Sequence, residues 1–209
     1  MVGNEELDAI RELINIGVGR AAGALNDMVG RYVRLNVPSV SIVSDDQIVR
    51  FLCADEEEQL ACVRLRFEGP LRGVADLIFP SQSGSKLVAL LSSEELCAPD
   101  LDSLRASTLT EVGNILLNGL LGSITNVVDE HLTYDLPTYL EESAGNIERS
   151  LRSIPDAAVL MAQTQFLVGK SELEVDGERI DGEITLLLGL DSLEHLLDRV
   201  HLLGEEADY

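Results

Sequence analysis

The sequence predicts an α/β fold of the α+β kind: an antiparallel sheet shared by two repeats, with two long helices packed on one side of it. Three observations carry that prediction. A spaced motif is written twice, as Asp8, Glu12, Asn15 and Pro38 and again as Ser107, Glu111, Asn114 and Pro137, with identical intervals. The apolar positions between these points coincide at a constant offset of 99 residues, Leu13 with Val112, Ile16 with Ile115, Leu25 with Ile124 and Val29 with Val128. Helical periodicity opens each copy, and strand-like alternation follows it. The repeats divide the chain as 1–98 and 99–209, fused into one domain with pseudo-twofold symmetry.

In the first copy Leu7, Ile10, Leu13 and Ile14 fall at three- and four-residue intervals, which predicts a helix with an opposite polar stripe. The small residues from Gly17 to Gly23 suit close approach by another helix or the sheet. They are a poor dinucleotide loop, because the third glycine comes one place late and a helix precedes it. Asn26, Asp27 and Gly30 loosen the helix before Arg31–Pro38 begins to alternate. Strands are expected over Ser39–Val43, Ile48–Cys53, Leu60–Phe67 and Leu71–Phe79, with Pro38 ending a loop at a strand entry. Asp55–Glu58 reads as a solvated turn and Glu68–Pro70 as a hairpin turn. Ser81 is expected to cap a helix carrying Leu87, Val88, Leu90 and Leu91.

Ser92–Leu101 punctuates the chain, and the second motif helix follows, with Thr108–Asn118 strongly periodic. Asn118 extends its polar stripe where the first copy has Gly19. Tyr139–Pro155 is polar and less patterned. Strands return at Ala158–Val168 and Glu172–Val175, Asp176-Gly177 marks a hairpin turn, and Ile184–Leu188 leads into a helix through Leu193, Leu196, Leu197 and Val200. The closing strand and helix match those of the first half at an offset of 109 instead of 99, so the second hairpin is expected to be longer.

The formal charge is -22, with Lys86 and Lys170 the only lysines against 37 acidic residues. A nucleic acid would be repelled by such a chain, and so would an anionic membrane. The balance suits a high-salt cytoplasm as well as it suits an ordinary acidic surface. No apolar run reaches bilayer length and the first residues are acidic, so a cytoplasmic protein is expected. Cys53, Cys62 and Cys97 show no paired spacing and read as buried reduced thiols, with no metal site expected.

Glu12 and Asn15 share one helical face, as do Glu111 and Asn114, with Asp8 and Ser107 one turn earlier. His131, His195 and His201 stand apart from them, which argues against a nucleophilic triad or zinc. A carboxamide is no base near neutral pH, but it can hold a water in line with a phosphorus atom. A glutamate beside it would repel a phosphoryl group, and more plausibly grips a lysine or metal of a partner.

The spacing Asp/Ser-x3-Glu-x2-Asn-x22-Pro, present twice and covering nearly the whole chain, resembles the CheC family of chemotaxis proteins, related to CheX and FliY. The resemblance implies a phosphatase of phosphorylated CheY. Glu12 and Glu111 would bind the regulator's lysine, and Asn15 and Asn114 would position the attacking water. Asp8, Ser107, Pro38 and Pro137 would support the motif. No cofactor would be bound by this chain, since the aspartyl phosphate and Mg²⁺ belong to the regulator. The receptor deamidase CheD is the second partner implied. The competing expectation is a non-catalytic adaptor binding CheY or CheD.

Overall fold

The structure, a computed structural model, describes residues 3–43, 48–52, 55–91, 101–129, 131–151, 157–169 and 178–207. The first half runs α1 (Asn4–Val29), β1 (Tyr32–Val43), α2 (Ile48–Leu52), β2 (Gln59–Glu68), β3 (Gly73–Pro80) and α3 (Ser81–Leu91). The second runs α4 (Leu101–Val128), β4 (Thr133–Tyr134), β5 (Thr138–Ser143), α5 (Ala144–Leu151), β6 (Ala157–Gly169), β7 (Glu178–Gly189) and α6 (Leu190–Ala207). Apart from the two-residue β4, one order of elements is written twice.

All seven strands pair antiparallel in one sheet, ordered β1-β6-β7-β3-β2, with β4 and β5 both against β2. The pairing is crossed. β1 lies on β6 of the other half, β5 lies on β2, and β3 meets β7 at the centre. Each half therefore completes the other's edge.

Alternation along the strands sorts their side chains to two faces. Ala61, Val63, Leu65 and Phe67 of β2 point into the larger core, where α1, α3, α4 and α6 contribute Leu13, Val18, Leu87, Leu116, Leu120 and Leu196. Leu60 and Cys62 point the other way, to the smaller core under α2 and α5 with Ile48, Leu52, Ile147 and Leu151. The two motif helices thus pack on one side, as the sequence predicts. Their crossing depends on glycine. A Cβ at Gly17 would stand 2.6 Å from Ser123 Oγ and 2.8 Å from Gly119 O, so only a bare backbone lets α1 lie this close to α4. Likewise a Cβ at Gly113 would meet Val63 at 2.5 Å, which seats α4 directly on β2 beside the motif.

The structure departs from the sequence expectations in three places. Ile48–Leu52 is the helix α2 and not a strand, because Ile48 and Leu52, four residues apart, are the pair that the smaller core buries; a short apolar run does not declare its period. Tyr139–Pro155 contains both β5 and α5, and the latter's burial of Ala144, Ile147 and Leu151 is helical. Pro38 sits inside β1, not at a strand entry. The longer second hairpin is present, with β6 and β7 of 13 and 12 residues against 10 and 8 for β2 and β3. Cys62 is a buried free thiol, its pKa pushed up by burial and then by Asp76. Cys53, Cys97, the Ser92–Asp100 separator, the Glu172–Val175 strand and the Asp176-Gly177 turn lie outside the described residues. No helix among the described residues is long and apolar enough to cross a membrane.

Candidate functional site

On α1, Asp8 and Glu12 are exposed and Asn15 is half-buried. Asp8 pairs with Arg11 at 3.1 Å across one turn. Asn15 is fully engaged by main chain. Its Nδ2 donates to Arg11 O at 3.1 Å and to Val37 O at 3.0 Å, and its Oδ1 accepts from the Val37 N–H at 2.8 Å. The reason lies in β1. Between Asn36, opposite Gln165, and Ser39, opposite Gln163, β1 holds one residue more than β6, a β-bulge. The bulge takes Val37 out of the ladder, and Pro38 has no N–H to give. Asn15 supplies the missing partner, so the Asn-x22-Pro spacing is, in this copy, the distance from a helix to the bulge it holds.

On α4 the same positions are arranged differently. Ser107 Oγ donates to Leu104 O at 3.0 Å, Glu111 is exposed and Asn114 is half-buried. Asn118 Nδ2 donates to Asn114 Oδ1 at 2.7 Å and to Asn114 O at 2.8 Å. The excess residue recurs opposite β2, between Tyr134, paired with Phe67, and Thr138, paired with Arg64. Here it divides the strand into β4 and β5. Leu136, which corresponds to Val37 at the 99-residue offset, is 88% exposed, and Pro137 is half-buried just before β5. Asn114 therefore keeps an amide that no bulge occupies.

Among the described residues, no side-chain hydrogen bond or ion pair involves Glu12 or Glu111, and none joins the motif residues of α1 to those of α4. Past Asn118, a cleft of about 580 Å³ follows α4 as far as Asp129, faced by Arg20 of α1 and Tyr134 of β4. The helical stripe made Asn118 visible in the sequence. Its bond to Asn114, and the Val37 bond of Asn15, needed the fold. Among the described residues no cluster of three or more His, Cys, Asp or Glu side chains is placed to hold a metal ion. The arrangement that remains is a carboxylate and a carboxamide, three residues apart, on an exposed stretch of rigid helix. Such a pair can grip a cation and orient a water.

Residues 5–42 match the family model described as CheC-like. The CheY-P phosphatase CheC of Bacillus subtilis (strain 168) is 29% identical over 136 residues, 64% of this chain and 65% of that protein. The chain thus matches just under two thirds of that relative's length. The crystal structure of Thermotoga maritima FliY superposes with a TM-score of 0.71 at 18% identity, covering 96% of this chain and 98% of FliY. The FliM middle domain of Vibrio alginolyticus follows with a TM-score of 0.62 at 14% identity, over 91% and 99% of the two chains. The match over residues 5–42 and the Bacillus relative make this chain similar in sequence to CheC proteins, and its fold is that of FliY.

Proposed function

We propose that the chain is a phosphatase of a phosphorylated CheY-type response regulator, and that its second motif copy does the chemistry. The observation that carries this reading is the motif pair of α4: Glu111 is exposed, and the half-buried Asn114 holds a carboxamide whose bonds leave capacity for a water. Similarity to a CheY-P phosphatase of Bacillus supports the choice of substrate.

In this reading Glu111 pairs with the regulator's active-site lysine and sets the register of docking. Asn114 enters the acidic pocket and holds a water in line with the aspartyl phosphate. The water oxygen bonds to phosphorus as the bond to the aspartyl oxygen breaks. The aspartate leaves as a carboxylate and the water's proton goes to the departing inorganic phosphate. Mg²⁺ stays with the regulator, and this chain contributes geometry and one amide dipole.

Asn15 is tied to β1 by two hydrogen bonds, both to Val37, so insertion of its amide into a partner would leave the Val37 N–H and C=O without the group that pairs them. That observation favours a second reading for α1 alone, a docking face without turnover that uses Glu12. The deciding experiment is phosphate release from the purified phosphorylated regulator. Asn114→Ala is expected to lower the stimulated rate about 100-fold, the loss typical of one transition-state hydrogen-bond donor, and Asn15→Ala severalfold at most. Equal losses in the two variants would refute the assignment of the second copy. CheD is proposed as a second partner on the family resemblance, and co-elution of the two purified proteins tests it.

A further inference from the structure

We propose that Asn118 is a positioning residue of the second site, fixing which end of the Asn114 carboxamide is offered to the partner. The inference rests on the phosphatase reading and extends it one residue beyond the spaced motif.

The orientation follows from one atom whose chemistry is certain. Asn118 Nδ2 lies 2.8 Å from the main-chain oxygen of Asn114 and 2.7 Å from the end of its side chain. A main-chain carbonyl only accepts, so the Asn118 group facing it is the NH₂. That group has two protons, one for each contact. The Asn114 atom receiving the second proton must be Oδ1, which leaves Asn114 Nδ2 turned away. Asn114 is thus held with one Oδ1 lone pair and both N–H groups unoccupied by Asn118.

This state suits the chemistry. An attacking water must aim a lone pair at phosphorus, so it gives a proton to an acceptor on the enzyme. Oδ1 is that acceptor, and the N–H of Asn118 polarises the same carboxamide. Rotated by half a turn, Asn114 would present only donors there. Asn118 disfavours that rotamer, because its Nδ2 would then face Asn114 Nδ2.

A purely structural role explains Asn118 poorly. The side chain is exposed, at the mouth of the α4 cleft, and both hydrogen bonds it forms go to Asn114. Asn is a weak helix former. The first copy has Gly19 at this place and immobilises Asn15 through Val37 instead. Each copy locks its amide, and only the second does so from the side, leaving the outer end open.

The test measures kcat and KM for phosphate release from the phosphorylated regulator, with melting curves showing that each variant is folded. Asn118→Ala should lower kcat roughly five- to tenfold, as expected for one lost orienting hydrogen bond, with KM unchanged. Asn118→Asp, nearly isosteric but an acceptor, should be lower still because it favours the rotated Asn114. Asn118→Gln, which keeps a donor within reach, should recover most of the rate. A wild-type kcat in Asn118→Ala, a change confined to KM, or an Asn118→Asp variant at least as fast as Asn118→Ala overturns the proposal. If Asn114→Ala itself turns over like wild type, the phosphatase reading of this site falls, and the positioning role with it.

Discussion

The Asn of the first motif copy closes a fold, while the Asn of the second stands ready to meet something else. Both begin from the same spacing, and both lie opposite a strand with one residue too many. In the first copy the bulge folds inward: Val37 is buried and its peptide groups pair with Asn15. In the second it turns outward, Leu136 is exposed, and the strand splits into β4 and β5. The lesson is about competition for one carboxamide. A buried peptide N–H and C=O must be satisfied, so a bulge beside the helix takes the amide, and only a bulge that has swung to solvent releases it.

The two hairpins differ in the same spirit, and there the largest effect is expected. Arg64 and Asp76 face each other on β2 and β3, joined by two hydrogen bonds of 2.8 and 2.7 Å, with Asp76 fully buried. Arg64 also donates to Ser150 Oγ of α5 at 2.5 Å. The equivalent cross-strand pair on β6 and β7 is Met161 with Thr185. Arg64→Met leaves a buried carboxylate without its cation, and should cost about 3–5 kcal/mol in urea unfolding. Adding Asp76→Thr copies the second hairpin into the first and should restore most of that loss. A single variant within 1 kcal/mol of wild type, on the scale of a surface pair, would mean that the hairpins do not differ in this way.

The next effect separates the two asparagines by stability alone. Asn15→Ala orphans the Val37 N–H and C=O and should cost about 2–3 kcal/mol. Asn114→Ala leaves no main-chain group unpaired within the ladder, and its cost should stay near 0.5 kcal/mol, as for most surface changes. Equal costs in calorimetry would erase the distinction between closed and open copies.

Much of this was legible in the sequence because it lay in periodicity. The helical stripes of α1 and α4, the alternation of β2, and the small residues at Gly17 announce themselves over several turns or strand residues. The crossed pairing of the halves did not, because register between distant strands leaves no local signal. Neither did the role of Asn15. An Asn on a half-polar stripe looks the same whether it faces water or a strand, and only the outward turn of Leu136 distinguishes its twin. Residues 48–52 were too few for their period to be read, and in 138–151 a six-residue edge strand passes directly into an eight-residue helix, each too short to show its period.

A pH dependence sharpens the comparison of the hairpins. Glu183 on β7 stands where β3 has Val74, at the 109-residue offset, and its Oε2 is buried without a hydrogen-bond partner. Burial, and then the charge of Asp181, pushes its carboxyl up to about 8 from an ordinary 4.5. Between those values the folded chain holds a proton that the unfolded chain has released, so stability falls as pH rises through that window. Glu183→Gln should remove the slope: its melting temperature should exceed wild type at pH 8 and approach it at pH 5. Parallel curves for the two proteins would show that Glu183 is not the source.

The smallest expected effect tests whether the first copy takes part in catalysis. Asp8 and Ser107 occupy the same motif position, one paired with Arg11 on an exposed face, the other bonded to its own helix. Both members of the Asp8–Arg11 pair are exposed, so solvent screens it and Asp8→Ser should change stability by about 0.5 kcal/mol or less. If the regulator is turned over only at α4, the same exchange leaves phosphate release unchanged, because α1 then contributes nothing to the rate. A severalfold loss of rate in a protein of unaltered stability would place Asp8 against the regulator, and would require the Asn15 bonds to Val37 to open when the partner docks.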